Sequence, residues 1–215
     1  MGNLWKELEK LKSYRWVDLT HPLNNESPYW SGMPDGVLAL GETAVSFEEM
    51  NLCIQTFKFP GQLGTHIDFP AHFSKGNKLC GDYGVKDFVF PLVVIDLSEK
   101  VKANVDYEIT LDDIKEFEAK YGRIPEGSFV AIRTDWHKRW PDGDALANAD
   151  ADGNEHFPGW TMETLRFLYK ERSIAANGHE TLDTDAPITS SKVGDLQCER
   201  YVLDEGKIQL ELMAN

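Results

Sequence analysis

Four side chains able to hold an ion or move a proton lie within one short run, Gly61 to His72: Gln62, His66, Asp68 and His72. His66 and Asp68 are two positions apart, so an extended backbone puts both on one side. Imidazole nitrogen together with carboxylate oxygen suits zinc, manganese or iron. His72 could stay off such an ion and take a proton from a bound water. Gly61 and Gly64 permit a tight or left-handed backbone, and Pro70 stiffens the exit. A purely local alternative stands beside this, in which Asp68 caps a turn and each histidine makes a nearby hydrogen bond.

Such a run needs a scaffold. Asn51 to Phe59 alternates and is rich in aromatic and branched residues, the pattern of a strand that leads directly to Gly61. Phe88 to Leu97 and Ser128 to Ile132 read as buried strands. Leu111 to Tyr121 has helical spacing, preceded by a variant of the capping box at Thr110 to Asp113. Thr161 to Lys170 is a second helix with Thr161 as its cap. Leu4 to Leu11 reads as a short charged helix, Tyr14 to Leu19 and Ser173 to Ala176 as strands, and Asp135 to Phe157 as a polar excursion. Residues Arg200 to Met213 read as two strand segments about a turn at Asp204 to Gly206. Between Thr20 and Asp35 the chain is irregular and holds Tyr29, Trp30 and Met33, as a lid or pocket wall would. Strands alternating with helices point to an α/β fold.

The chain has 215 residues, enough for one domain with a substantial core. Its 22 basic against 36 acidic residues give a formal charge of -14. That field repels nucleic acid and anionic lipid, so neither nucleic acid nor membrane is an expected partner. Cys53, Cys80 and Cys198 are widely spaced, which argues against a disulfide framework or a thiolate zinc site. The first residues carry charges where a signal peptide needs an apolar stretch, and no apolar run is long enough to span a membrane. The expected class is therefore a soluble, cytoplasmic protein. Phosphate-loop, dinucleotide and Gly-x-Ser-x-Gly signatures do not occur in the sequence.

Gly64-Thr-His-Ile-Asp-Phe-Pro-Ala-His72 resembles the signature His-x-Gly-Thr-His-x-Asp-x-Pro-x-His of the cyclase-type metal-dependent hydrolases, the family of bacterial kynurenine formamidase and isatin hydrolase. Asp18-Leu-Thr-His-Pro-Leu23 is similar to that family's opening strand and turn, and Gly178 to Asp185 to its later Gly-x-Asp-Thr-x-x-x-Asp segment. The resemblance spans nearly the whole chain. It implies a swivelling β/β/α fold, with a mixed, barrel-like sheet and flanking helices. Residues 1–215 would form one cyclase-like domain ending before a strand with which family members usually continue. It also implies a homodimer or higher homo-oligomer.

Carried over residue by residue, the resemblance makes His66 and Asp68 metal ligands and His72 the catalytic base. Gln62 stands where the family has its first motif histidine. The family's late His and Glu, twelve positions apart, fall on Glu199 and Glu211. The implied ligand set is then Gln62, His66, Asp68 and Glu211, with Glu199 as a further candidate. Oxygen-rich donors favour Mn2+, with Zn2+ as the alternative. The implied activity is hydrolysis of a small amide, formamide or cyclic amide such as an arylformamide or isatin-like lactam.

Two other readings use the same residues: a family member with a degraded site that acts by binding, and a metal-dependent lyase or dehydratase. Trp30, Phe157 and Trp160 are candidate walls for a flat small-molecule substrate. His21, His179 and Glu180, each at a strand end, are candidates for substrate contact or support of the site. For all six, packing or a local hydrogen bond is the plain alternative.

Overall fold

The computed structural model describes residues 3–215. The chain opens with helix α1 (Leu4–Ser13), none of whose residues is buried. Strands β1 (Ala39–Val45) and β2 (Ile54–Lys58) form an antiparallel hairpin, with the short helix α2 (Phe47–Met50) in its connection. Next come β3 (His66–Asp68), β4 (Leu92–Asp96), α3 (Ser98–Ala103), α4 (Leu111–Tyr121), β5 (Phe129–Arg133), α5 (Gly143–Ala147) and α6 (Met162–Arg166). The chain finishes with β6 (Ala176–Gly178), α7 (Pro187–Val193), α8 (Gln197–Asp204) and β7 (Ile208–Glu211). Five of these strands make one mixed sheet in the order β3-β7-β6-β5-β4. β4 through β7 run parallel to their neighbours, and β3 joins β7 antiparallel. The architecture is the mixed α/β sheet with flanking helices that the sequence implied.

Local chemistry explains where elements begin. The Asp113 carboxylate accepts the Thr110 amide at 2.7 Å while Thr110 Oγ1 accepts the Asp113 amide at 3.3 Å, so two orphan donors at the start of α4 are satisfied reciprocally. Gly122, at φ +94°, ends that helix in a conformation that favours glycine. The expected helix from Thr161 is present, but past Arg166 it widens into a π turn over Phe167–Glu171.

Four expectations are corrected. The buried strand read over Phe88 to Leu97 starts at Leu92 and forms an edge of the sheet, with Leu92 47% and Val94 45% exposed. Tyr14 to Leu19 is extended without a strand partner, tied instead to the far end of the chain by the Ala214 amide donating to the Leu19 carbonyl at 2.8 Å. The short strand read as Ser173 to Ala176 starts at Ala176 and runs to Gly178. The segment from Arg200 is helix α8, not a strand. Its Tyr201, Val202 and Leu203 are strand-compatible by type, and a cap supplied from another part of the chain decides the matter, as described below.

One face of the sheet, with Ile95, Val130 and Ile132, packs under Ile114, Leu165, Leu168 and Val202 of the helices to form the main core. The other face gathers Phe129, Ala131, Ala176, Ile208 and Met213, with Phe69, Tyr83 and Phe90 against them. At one edge of this sheet β3 pairs with β7, which is itself held by β6 on its other side, and the register of that ladder sets the side chains that project from it. Among the described residues no helix is long and apolar enough to cross a membrane.

Candidate metal centre

The register of β3 on β7 pairs His66 with Glu211 and Asp68 with Gln209. Side chains alternate along a strand, so these four project from the same face of the ladder as two cross-strand pairs. Gly64 delivers the chain into β3 at φ +58°, and a Cβ there would lie 2.4 Å from Leu23 Cδ2, so only glycine fits.

The Gly64 carbonyl, which can only accept, lies 2.8 Å from His66 Nδ1. Nδ1 therefore carries the proton, and Nε2 presents its lone pair inward. There Nε2 meets Asp68 Oδ1 at 3.4 Å and Glu211 Oε2 at 3.6 Å. Three lone-pair-bearing atoms converging in this way repel one another until a cation or a proton lies between them.

Pro70 starts a single 3-10 turn, Pro70–His72, that brings His72 back toward the ladder. His72 Nε2 lies 3.8 Å from Glu199 Oε1 and 4.0 Å from Asp68 Oδ1, and 36% of its side chain remains exposed. Glu199 is buried in the first turn of α8. It is positioned by Asp185, whose carboxylate accepts the amides of Cys198 at 2.8 Å and Glu199 at 3.0 Å. This is the cap that makes α8 a helix. Gln62 Nε2 donates to Asp68 Oδ1 at 3.2 Å.

Electrostatics point the same way. Burial pushes Glu199 up to about 9, with the charges of Asp68, Asp183 and Asp185 adding to it. Burial raises Glu211 well above the carboxylate range, reinforced by Glu199 and Asp68. Asp183 is pushed up to about 7, again first by burial and then by Glu155, Asp185 and Asp68. In Asp68 burial acts upward too, yet the hydrogen bond and charge that His66 contributes once a proton occupies Nε2 outweigh it and hold the carboxyl below its ordinary value. Clustered carboxylates cannot all ionise unless a cation compensates them. Two groups of ligand atoms, His66/Asp68/Glu211 and Asp68/His72/Glu199, each lie within 4.8 Å and share Asp68. Nitrogen with carboxylate oxygen is a donor set that fits a first-row divalent ion.

Behind the ladder lies a buried polar layer. His179 is fully buried, and desolvation lowers it to about 3, so the ring is neutral. Its Nε2 is 3.4 Å from Glu211 Oε1. Glu180 accepts the Thr134 hydroxyl at 3.0 Å and lies 3.2 Å from His137 Nδ1. His21 is stacked on Trp140 at 4.6 Å, with its amide donating to Thr65 Oγ1. Burial lowers the His21 imidazole to about 4, and Nε2 has no hydrogen-bond partner in the protein. Trp30 is 72% exposed on the irregular loop.

Phe157 and Trp160 do not line the site. Both are packed in the core, Trp160 with Ile109 and Leu165 and Phe157 with Val101 and Leu146, which leaves neither a face for a ligand. The reason is the large apolar area each ring removes from water there. A cavity of about 590 Å³ opens beside Asp183, lined by Glu155, His156, Ser191 and Lys192 among others. Sequence reasoning does not single out Gln209, Asp183 or Asp185 as individual residues. The alternation Ile208-Gln209-Leu210-Glu211 is the available signal for the first of these, since it places Gln209 on the face of Glu211.

Comparison with known proteins gives a consistent result. The family model described as Cyclase, "Putative cyclase", matches residues 17–186. Isatin hydrolase of Roseibium aggregatum is 37% identical over 127 residues, covering 57% of this chain and 48% of the relative. Kynurenine formamidase of Bacillus cytotoxicus is 32% identical over 88 residues, 41% of each. The matched regions thus span less than half of these curated relatives. Among solved structures, isatin hydrolase A from Labrenzia aggregata bound to benzyl benzoate superposes with a TM-score of 0.85 at 32% identity, over 100% of this chain and 87% of that one. Isatin hydrolase A from Ralstonia solanacearum gives 0.83 at 30% identity, covering 99% and 83%.

Proposed function

The chain belongs to the Cyclase family, whose model matches residues 17–186, and on that premise we propose that it is a metal-dependent hydrolase of a small amide or cyclic amide. The observation that carries the reading is the convergence of His66 Nε2, Asp68 Oδ1 and Glu211 Oε2 from one face of the β3–β7 ladder. His66, Asp68 and Glu211 would hold the ion, with Gln62 and Glu199 at its margin. When bound, the ion supplies Lewis acidity, which acidifies water and polarises a carbonyl. His72 takes the proton from the attacking water and returns one to the departing nitrogen. Trp30 offers an exposed aromatic face to the substrate, while His21, buried against Trp140 with its amide on Thr65, holds the start of the motif in place. His179 supports the site from behind through Thr184 and Glu211, whereas Glu180 bonds Thr134 and faces His137. The oxygen-rich donor set favours manganese over zinc. The relatives' names point to arylformamides and isatin-like lactams as substrates to test.

Elemental analysis of protein purified without added metal or chelator is expected to find about one manganese or zinc per chain. Turnover of an arylformamide or an isatin-like lactam in isotopically labelled water then places solvent oxygen in the product. Unlabelled product with turnover retained would mean a lyase. No bound metal, even after manganese or zinc is supplied, would mean a binding protein.

A homodimer or higher homo-oligomer belongs to the same proposal. Every residue of β2 is exposed, and an isolated two-stranded hairpin is marginal in water. Trp5 (75% exposed), Trp16, Phe47, Phe57 (63%) and Phe59 together offer on the order of 800 Å² of apolar surface, about one partner's share of a stable interface. Residues 4–17 carry Lys6, Lys10, Lys12 and Arg15 against Glu7 and Glu9, while residues 39–58 carry Glu42, Glu48 and Glu49 against Lys58, so the two apolar surfaces differ in sign. Light scattering is expected to find a dimer or larger, and Phe57→Glu to shift it toward monomer with metal per chain unchanged. A monomeric wild type would remove this part of the proposal. The exposed thiols of Cys53 and Cys80 fit a reducing, cytoplasmic setting.

A further inference from the structure

The geometry points to Gln209 as a positioning residue that selects which carboxylate oxygens face the ion, an inference that rests on the metal-centre reading above. Gln209 is fully buried on β7 and occupies the fourth corner of the array made by His66, Asp68 and Glu211. Its Nε2 lies 3.3 Å from Asp68 Oδ2 and 3.0 Å from Glu211 Oε1. These are the two oxygens turned away from His66, whereas Asp68 Oδ1 and Glu211 Oε2 are the two that face His66 Nε2. One amide nitrogen with two hydrogens can therefore satisfy one oxygen of each carboxylate. It leaves the other oxygen of each with its lone pairs toward the common point.

The orientation of the amide follows from its neighbours. Reversing it would set Oε1 against two carboxylates, and Oε1 already accepts the Thr184 hydroxyl at 2.8 Å. With its proton given to Gln209, Thr184 Oγ1 is left as acceptor for His179 Nε2 at 3.1 Å. His179 Nδ1 then accepts from the Thr181 hydroxyl at 3.0 Å. One consistent assignment runs Thr181 to His179, His179 to Thr184, Thr184 to Gln209, and Gln209 to Asp68 and Glu211, with the Asp183 carbonyl also 3.1 Å from the Thr181 hydroxyl and Glu211 Oε1 3.4 Å from Thr184 Oγ1. The chain runs from the end of β6 to the ladder and gives the amide one orientation. Glutamate at 209 would add a carboxylate and remove both donors, and an aliphatic residue would leave both carboxylates free to turn. Hydrogen-bond partners behind metal ligands commonly carry 10–100-fold in affinity.

The test is manganese affinity by calorimetry on the full chain, set beside the melting temperature of the metal-free protein. Gln209→Met keeps the volume and removes the hydrogen bonds. The expected result is a manganese affinity lower by roughly 10–100-fold, alongside a lower metal-free melting temperature, because the Thr184 hydroxyl and two buried carboxylate oxygens lose their partner. Thr184→Val, which frees Oε1 while keeping the shape, is expected to move affinity in the same direction by less, and it decides the matter if Gln209→Met does not fold. Wild-type affinity in both variants, in a protein that binds manganese, would overturn the role of Gln209 and leave the metal centre standing. A wild type that binds no manganese or zinc would overturn both. A fall in melting temperature with affinity unchanged would mark Gln209 as packing only.

Discussion

His72→Ala is expected to lower turnover by roughly 10²–10⁴-fold while the ion remains bound at wild-type stoichiometry. The distances separate His72 from the ligands. His66 Nε2 sits 3.4 and 3.6 Å from two carboxylate oxygens of its own ladder, with the ring locked by the Gly64 carbonyl. His72 Nε2 stands 3.8 and 4.0 Å from its nearest carboxylate oxygens, on a one-turn helix, with part of the ring open to solvent. A general base must exchange protons with water between cycles, which a sealed ligand cannot do. The same atom also completes the second group, Asp68/His72/Glu199, so ligation is the competing role. Measuring metal content and single-turnover rate on the same sample distinguishes the two. Loss of turnover with the ion in place supports the base. Loss of the ion along with turnover makes His72 a ligand, and unchanged turnover removes it from the reaction.

Asp68→Asn is expected to abolish stoichiometric metal and, with it, the stabilisation that metal confers. A ligand at a hundredfold excess over its Kd adds about 2.7 kcal/mol to the folded state. For a chain of this size that is roughly 5–11 °C of melting temperature. The variant should show none of this shift; its metal-free form is expected to melt lower than the wild type, because the carboxylate that pairs with His66 and accepts from Gln62 and Gln209 is gone, so the metal-dependent shift is the readout. The wild-type shift should also depend on pH. Glu199, raised from 4.5 to about 9, and Asp183, raised to about 7, keep protons in the metal-free fold that an unfolded chain releases at lower pH. Stability of the metal-free fold carried by these groups is therefore complete below 3.8 and declines as pH rises toward about 9. A bound ion displaces those protons, so apparent affinity should climb across the same window, by about tenfold per pH unit for each proton released. Affinity that is flat with pH would show that these carboxyls stay clear of the ion.

The parts of this molecule written in local chemistry are legible in the amino-acid order alone. Thr110 and Asp113 announce their helix because both partners of the cap lie within four positions. His66 and Asp68 can be placed on one face because a strand has period two. The parts settled by distant neighbours are not legible in that way. Glu199 stands just before a segment that reads as strand, until Asp185 captures the amides of Cys198 and Glu199 and turns that segment into a helix with its first turn inside. Phe157 and Trp160 pass for pocket walls by residue type, yet the same ring area is worth as much in a core, and only packing decides between the two. Gln209 lies in plain view at the right spacing, but its purpose depends on a carboxylate 141 positions away.

That separation also governs the order in which the protein can be put together. β7 is the last of the described strands, yet it is an interior strand of the sheet, flanked by β3 on one side and β6 on the other. Until it arrives, β3 has no neighbour in that sheet, and His66 and Asp68 stand on a segment with nothing to align them. Closing so long a loop costs entropy before any contact repays it, so insertion of β7 belongs among the late steps of folding. A growing chain that has not yet placed Glu211 would carry half of the proposed coordination sphere, and an ion could complete it only after the scaffold has done so.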